Sequence, residues 1–256
     1  MPRPAQSPFP VDALSWIVPQ RTARVLAVGR TSGPIAQRLR ALGHTVAAIH
    51  SSARGTSELA QRLPGSVAAV AVPEALPFAP YSFDAALCVQ NFHEFAPGLA
   101  LVELARVLRE GGDLAVVYVT RDDTVPWVRR FMAMMREADP AAMPGEYGHH
   151  SLDVVEASHY FPDVARRTFR QWVPISRIDL LEMVAHSPTA RRLGPEKLNA
   201  LVTEVGSLYD NSARAPEPLL LPYRIECVRA RVDHTQLTRP IEVSDDALQI
   251  SLGGPS

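Results

Sequence analysis

Two glycines stand four positions apart directly after a short apolar run, an arrangement that can bring main chain against a ligand. The segment RVLAVGRTSG begins at Arg24 and ends at Gly33, and Gly29 lies inside it. Glycine lets the main chain approach a bound molecule closely, and the N-terminus of a following helix favours an anion. The spacing therefore indicates a ligand-binding loop over residues 29–33.

His93 is the candidate for proton chemistry, because it closely follows the apolar run FDAALCV at residues 83–89. The unperturbed pKa of histidine lies near neutrality, so His93 could remove a proton from a bound acceptor. The surrounding NFHEF is equally typical of the entry into a helix, where the histidine would only be hydrogen-bonded. The sequence leaves both interpretations open.

A second polar pair is formed by Arg30 in the glycine loop and His50 at the end of another apolar run, TVAAI. Together they would attract an anion, because Arg30 is cationic and His50 is neutral or cationic. The alternative is that His50 is a solvent-facing residue at a strand end.

A third group of polar side chains lies in a segment rich in proline and glycine. Tyr147, His149 and His150 would hold an acceptor if this segment covers the site, whereas loop clusters of this kind are often solvated. With His159, the two histidines do not match a zinc-ligand spacing, so we expect no metal. The stripe Met132–Met135 is typical of core packing or of the apolar wall of an acceptor pocket.

The elements that position these residues alternate strand and helix over the first 120 residues. Hydrophobic periodicity predicts strands at 24–29, 45–49, 67–72, 83–89 and 113–119, and helices at 33–42, 56–63 and 97–110, the last ended by Gly111 and Gly112. This order predicts a parallel doubly wound sheet, in which ligands bind beyond the carboxyl ends of the strands. The Gly29–Gly33 loop, His50, 73–78 and 90–95 should therefore surround one crevice.

The pattern changes after Thr120. We predict a helix at 127–138, a loop at 139–160 over the crevice, a strand at 168–175, helices at 178–185 and 195–208, and a last strand at 219–232. Pro222 favours an edge or the start of that strand. The predicted domains are an N-terminal arm or helix at 1–23, a main domain at 24–232 with a lid or insertion at 126–165, and a C-terminal tail at 233–256.

Composition excludes several classes of protein. The 256 residues carry a net charge of −1, which argues against nucleic-acid binding and against an anionic membrane surface. No apolar run reaches the ~18 residues of a membrane span. Cys88 and Cys227 lie in apolar runs and predict buried thiols in a reducing compartment, so we expect a cytoplasmic protein.

Four stretches, taken in order, resemble the class I S-adenosylmethionine-dependent methyltransferases, in particular the small-molecule group related to trans-aconitate and ubiquinone methyltransferases. They are RVLAVGRTSGPIAQRL, PEALPFAPYSFDAALCVQNFHEF, LVELARVLREGGDLAVV and LPYRIECVRAR, which together span residues 24–232. The resemblance implies a Rossmann-like α/β fold with a seven-stranded sheet whose last strand is antiparallel.

The resemblance also implies a cofactor and its binding residues. S-adenosylmethionine would lie against Gly29, Arg30, Thr31, Ser32, Gly33, His50, Ser51, Pro73, Glu74 and Gln90. His93 would lie near the transferred methyl group.

Several polar anchors of that family are replaced. Near the end of the first strand, this chain has Ala27 where the family usually has an acid. It has Thr31 where the family has a second glycine, and His50 where the family has the acid that binds the ribose hydroxyls. Val72 aligns with the acid that takes the adenine amino group, and Glu74 is a partial substitute. Losing two or three charge-assisted hydrogen bonds would weaken cofactor binding by roughly two to five orders of magnitude.

The sequence therefore supports three hypotheses. The first is an S-adenosylmethionine-dependent methyltransferase with an altered cofactor site, acting on a small molecule. The second is a catalytically inactive protein that uses this fold as a scaffold for a protein partner. The third is a protein that binds a different, anionic ligand such as a nucleotide at Arg30 and His50.

Overall fold

The computed structural model describes residues 9–140, 148–213 and 218–237. Its strands are β1 (Arg24–Val28), β2 (Thr45–His50), β3 (Val67–Val70), β4 (Phe83–Val89), β5 (Leu108–Arg121), β6 (Asp163–Ile175) and β7 (Leu219–Arg231). Its helices are α1 (Val11–Ile17), α2 (Gly33–Ala41), α3 (Ala53–Arg62), α4 (Pro97–Val107), α5 (Pro126–Ala138), α6 (Gly148–Glu156), α7 (Arg177–Ala185), α8 (Pro188–Arg192) and α9 (Pro195–Ser212). Short 3-10 turns occupy Arg30–Ser32, Phe92–Glu94 and His234–Gln236.

The seven strands form one sheet in the order β3-β2-β1-β4-β5-β7-β6. The first five strands pair in parallel, and β7 pairs antiparallel with both β5 and β6. The order reverses between β1 and β4, and at such a switch the connections leave to opposite faces and open a crevice. The predicted seven-stranded α/β fold with an antiparallel last strand is confirmed.

Alternate residues of the central strands supply the cores on the two faces of the sheet. On β4, Leu87 and Val89 pack with α1, α2 and α3 on one face, whereas Ala86 and Cys88 pack with α4 and α6 on the other. This alternation follows from the period of two in a β-strand. Because both faces are covered there, the central strands β1 and β4 are almost entirely apolar.

A third apolar cluster lies at one end of the sheet and is formed largely by helices. Phe131 of α5, Leu180 of α7 and Val205 of α9 pack together over Ile175 and Leu221 at the ends of β6 and β7. We refer to α5, α7 and α9 as the helical cap. Across the described ranges 9–140, 148–213 and 218–237, no helix combines the length and apolar character that crossing a membrane requires.

The predicted loop over residues 139–160 is wrong, because α6 lies within it. Leu152 and Val155 of α6 are buried in the core on the α4 face. Two apolar side chains three positions apart fix one face of a helix, a signal that the neighbouring proline, glycine and histidines obscured. The segments α5 and α6 pack into different clusters, and residues 141–147 lie outside the described residues.

The predicted helix 97–110 is too long, since α4 ends at Val107 and β5 begins at Leu108. Leu108 pairs with Phe83, and the register then shifts before Ala85 pairs with Asp113. Gly112 lies in this irregularity, where an added Cβ would stand 2.8 Å from the Arg109 carbonyl oxygen. The glycine pair therefore shapes the start of a strand and does not end the helix.

Pro222 does not mark a sheet edge, because β7 lies between β5 and β6. Pairing of β7 with β5 ends at Tyr223, opposite Arg121, so Pro222 lies beyond the last residue pair of that ladder. With respect to β5, Pro222 is therefore at the start of the paired part of β7, which is the other position that the sequence favoured. The proline nitrogen has no hydrogen to donate, and the β5–β7 ladder has no residue pair at this position that would require a donor.

Both cysteines are buried and unpaired, as predicted. Burial raises the pKa of the Cys88 thiol well above its ordinary value and that of Cys227 to about 12. A thiol in this state is a poor nucleophile, because the reactive form is the thiolate.

Candidate functional site

The glycine loop turns sharply out of β1 and is held by hydrogen bonds to the sheet. Gly29 has φ +78°, a left-handed conformation that glycine adopts without strain, and its N–H donates to the Ile49 carbonyl at 2.8 Å. The Ser32 hydroxyl is buried and donates to the Val28 carbonyl at 2.6 Å. The Ser32 side chain thus fastens the loop to the sheet and does not face a ligand.

The two flanks of the loop have different environments. A Cβ on Gly33 would lie 3.1 Å from side-chain atoms of Leu59 and Arg62, so this glycine permits close packing of α2 against α3. Thr31 is exposed and lines the crevice. The side chain of Arg30 lies outside what the structure describes, so its predicted contact with an anion stays a prediction.

Asn91 forms the wall opposite the loop. Its Nδ2 donates to the Val28 carbonyl at 2.8 Å, and a Cβ on Gly29 would lie only 2.3 Å from that nitrogen. Its Oδ1 is buried and has no hydrogen-bond partner among the described residues. A buried acceptor without a partner costs free energy, and a ligand donor at this point would remove that cost.

A crevice of about 150 Å³ opens at the carboxyl ends of β1, β2 and β4. Five of the predicted cofactor residues line it, namely Gly29, Thr31, His50, Ser51 and Pro73. Val28, Ile49 and Ala71 give it an apolar floor. The structure thus brings together five of the ten predicted cofactor residues in one crevice, at the point where the strand order reverses.

His50 turns toward the start of α3. Its Nδ1 accepts from the Ser52 backbone N–H at 3.0 Å, and a Cβ on Gly55 would lie 2.3 Å from the same nitrogen. Because Nδ1 acts as an acceptor, the neutral ring carries its proton on Nε2. His50 can therefore donate one hydrogen bond to a ribose oxygen, where a carboxylate would accept two.

Two predicted cofactor residues have other partners. Glu74 accepts from the Ala96 N–H at 2.7 Å, at the N-terminus of α4, which explains why it does not line the crevice. Gln90 has φ +58°, unusual for a residue with a side chain, and its Nε2 donates to the Val119 carbonyl at 2.5 Å. Both side chains stabilise the chain around the crevice.

His93 is exposed and lies in the 3-10 turn after β4. Its Nδ1 lies 3.5 Å from the Tyr118 hydroxyl of β5. This neighbour orients the ring, whereas the role as a base stays a prediction. Tyr147 lies outside the described residues, and the side chains of His149 and His150 are not described.

Apart from the apolar floor, three lining residues were not predicted as site residues: Asn91, Glu94 and Phe95. Their signal was the predicted position of the segment 90–95 beside the crevice, in which only Gln90 and His93 were selected as site residues. Glu94 is exposed and is the carboxylate among the described lining residues. The crevice therefore contains an acid, although not at the positions where the family has one.

The chain is similar to known proteins both in sequence and in structure. Residues 26–116 match the family model described as a methyltransferase domain. An uncharacterised methyltransferase of Mycobacterium tuberculosis is 31% identical over 227 residues, covering 87% of this chain and 88% of that protein. An uncharacterised methyltransferase-like protein of Schizosaccharomyces pombe is 31% identical over 132 residues, or 49% of this chain and 51% of its own.

The fold is shared with solved structures. A putative type II methyltransferase from Anaeromyxobacter dehalogenans superposes with a TM-score of 0.63 at 22% identity, covering 85% of this chain and 93% of that one. The glycine loop, the strand order and the mycobacterial relative agree. The chain belongs to the class I S-adenosylmethionine-dependent methyltransferases.

Proposed function

We propose that this chain binds S-adenosylmethionine in the crevice between the glycine loop and Asn91, and methylates a small molecule. The observation that carries the proposal is the buried Asn91 Oδ1, which has no partner in the described part of the chain, on an amide whose Nδ2 stands against Gly29. The ammonium of a methionine moiety is a donor that would satisfy this oxygen.

The remaining parts of the cofactor fit the other lining groups. The apolar floor of Val28, Ile49 and Ala71 suits an adenine ring, and Nε2 of His50 can donate to a ribose oxygen. Glu94 supplies a carboxylate near the place that a cation would occupy, which favours a sulfonium electrostatically. When bound, the cofactor supplies an electrophilic methyl group on sulfur.

His93 is our candidate for the base that takes the acceptor's proton. When Tyr118 accepts from Nδ1–H, the lone pair of the neutral ring that a base needs is on Nε2. The ring is exposed beside the crevice, where an acceptor can reach it. Holding donor and acceptor in line is the main contribution of such a site, because methyl transfer is a direct displacement.

Binding of S-adenosylhomocysteine, measured by calorimetry, tests the cofactor assignment. We expect binding in the micromolar range by the wild type and at least tenfold weaker binding by Asn91→Ala, which removes the orphaned oxygen. Gly98→Ala is the matched control, because a Cβ at Gly98 meets no atom within 4 Å. No heat with the wild type at millimolar ligand would overturn the proposal.

The two other hypotheses predict different results in the same experiment. If the crevice binds an anionic nucleotide, ADP should give heat where S-adenosylhomocysteine does not. If the chain is a scaffold, neither ligand should bind, and a protein partner should co-purify in stoichiometric amount. The Asn91 Oδ1 beside the glycine loop, which has no partner among the described residues, favours the enzyme.

A further inference from the structure

A second unsatisfied group lies outside the crevice, at the last residue of β5. Arg121 pairs across the sheet with Tyr223, and its Nε is buried without a hydrogen-bond partner among the described residues. Burial lowers the pKa of its guanidinium, although an arginine remains charged at any physiological pH. The protein thus holds a partly buried positive charge whose Nε is shielded from water.

The neighbours of Arg121 do not neutralise this charge. Its Nη1 lies 3.7 Å from the Met132 sulfur and its Nη2 lies 3.3 Å from the Met183 sulfur, and thioethers are weak acceptors. The guanidinium carbon lies 5.4 Å from the ring centre of Phe131, and the Tyr223 hydroxyl is a further, neutral partner. No carboxylate of residues 9–140, 148–213 or 218–237 forms an ion pair with it.

Its position relates Arg121 to the crevice. Val89, the last residue of β4, pairs with Val117, so β5 continues four residues beyond the end of β4, about 13 Å at ~3.3 Å per residue. Val117, Val119 and Arg121 lie on the same face of β5 because strand side chains alternate. Arg121 therefore lies beyond the carboxyl end of β4 and against α5 and α7 of the helical cap.

We propose that Arg121 binds a carboxylate on the methyl acceptor, whose apolar body packs against Phe131, Met132 and Met183. This inference rests on the proposed function, since it assigns the acceptor of the same enzyme. A carboxylate matches the planar guanidinium with two parallel hydrogen bonds and replaces the missing counter-charge. Methionine side chains adapt to different apolar shapes, which suits an acceptor pocket.

The test uses pairs of an acid and its uncharged amide on the intact chain. Hexanoate with hexanamide, octanoate with octanamide, and 3-phenylpropanoate with 3-phenylpropanamide are compared by thermal shift and by calorimetry. At least one acid should bind the wild type tenfold to a hundredfold more tightly than its amide. In Arg121→Met, which keeps a flexible apolar side chain, this preference should vanish.

The matched control is Arg167→Met. Arg167 also stacks on an aromatic ring, 4.9 Å from the centre of Phe169, but it is exposed on the edge strand β6. This variant should keep the preference for the acid. The inference is overturned if no acid binds better than its amide, or if Arg121→Met keeps the preference.

Binding of S-adenosylhomocysteine separates this inference from the proposed function. Arg121→Met should bind it as the wild type does, because Arg121 does not line the cofactor crevice. If the wild type binds S-adenosylhomocysteine but shows no preference for any acid, the proposed function stands and the inference fails. If it binds no S-adenosylhomocysteine, the proposed function fails first.

Discussion

The crevice and the helical cap differ in how their polar groups are paired, although each contains a buried polar atom without a hydrogen-bond partner among the described residues, Asn91 Oδ1 and Arg121 Nε. At the cofactor end, the Ser32 hydroxyl, the Asn91 amide nitrogen and the His50 ring all have protein partners. At the helical cap, the neighbours of Arg121 among the described residues are sulfur atoms, an aromatic ring and a hydroxyl. The cofactor loop therefore keeps its shape without a ligand, whereas no carboxylate of the described residues balances the charge of Arg121.

Arg106 and Arg121 show the same difference between two side chains of one type. Arg106 of α4 donates to both carboxylate oxygens of Glu103 at 2.6 and 2.8 Å, and to the carbonyls of Phe78 and Leu76 at 2.9 and 3.0 Å. Arg121 has no such acceptors in the described chain. Arg106 therefore stabilises the fold, while Arg121 costs stability that a ligand can restore.

The largest effect is expected from breaking the shape of the cofactor loop. Gly29→Ala introduces a Cβ at φ +78° that would lie 2.3 Å from Asn91 Nδ2, so Asn91 must leave the Val28 carbonyl. We expect a loss of about 2–4 kcal/mol in the free energy of unfolding, measured with urea. Gly98→Ala, in open space on α4, should change it by less than about 1 kcal/mol. Equal losses in both variants would contradict this account.

The next prediction concerns the two arginines directly. Arg106→Met should lower the free energy of unfolding by about 2 kcal/mol, because it leaves Glu103 and two carbonyls without their donor. Arg121→Met should leave it unchanged or raise it by about 1 kcal/mol, because it removes a partly desolvated charge that has no ion-pair partner in the described part of the chain. Urea unfolding at pH 7 measures both, and a larger loss in Arg121→Met than in Arg106→Met would reverse the comparison.

The sequence predicted the cofactor end better than the cap end, for a physical reason. The loop Gly29–Gly33 and the strands β1, β2 and β4 are local patterns whose periodicity can be read from a few residues. The environment of Arg121 is not local: Met183 lies 62 positions away, and Tyr223 reaches it only through the pairing of β7 with β5. In the sequence, VTRDD has the appearance of a solvent-exposed strand end.

Within the cofactor end, the positions of residues were predictable but their partners were not. His50 was placed at the crevice, yet its contacts with Ser52 and Gly55 depend on how α3 begins. Asn91 was within the predicted segment and passed unnoticed, because its relation to Gly29 joins residues 62 positions apart across the β1–β4 pair. The strand order alone predicts which segments lie beside the crevice, whereas the hydrogen bonds of each side chain depend on how the helices pack against the sheet.

A third prediction concerns the cofactor crevice, in which His50→Asp restores the acid that the family has at this position. His50→Asp should bind S-adenosylhomocysteine about tenfold more tightly, because a carboxylate can accept from both ribose hydroxyls where His50 donates once. His50→Asn is the matched control, since it has the size of aspartate without the charge. Calorimetry measures both, and unchanged affinity in His50→Asp would mean that the ribose does not lie beside position 50.

The smallest expected effect is the pH dependence of the satisfied ion pair. Hydrogen bonds from Arg106 hold the pKa of Glu103 below its ordinary value, and the Leu76 N–H also donates to this carboxylate at 2.8 Å. Because the pKa is lowered in the folded state, the ionised carboxylate favours folding. Its contribution is complete above the unfolded pKa of about 4.3 and is lost as the pH falls through the lower folded value.

Glu103→Gln tests this contribution, because glutamine resembles the protonated acid in shape. At pH 7 the wild type should exceed the variant by about 1 kcal/mol in the free energy of unfolding, and urea titrations at falling pH should show the gap closing below about pH 4. Glu58→Gln is the control, because Glu58 pairs with Arg54 on the exposed surface of α3 and should show little gap at any pH. If the difference in unfolding free energy between the wild type and Glu103→Gln stays constant with pH, the charge of Glu103 does not stabilise Arg106. The two carbonyls would then be the acceptors that matter, and Arg106 would differ from Arg121 in its neutral acceptors and not in its charge.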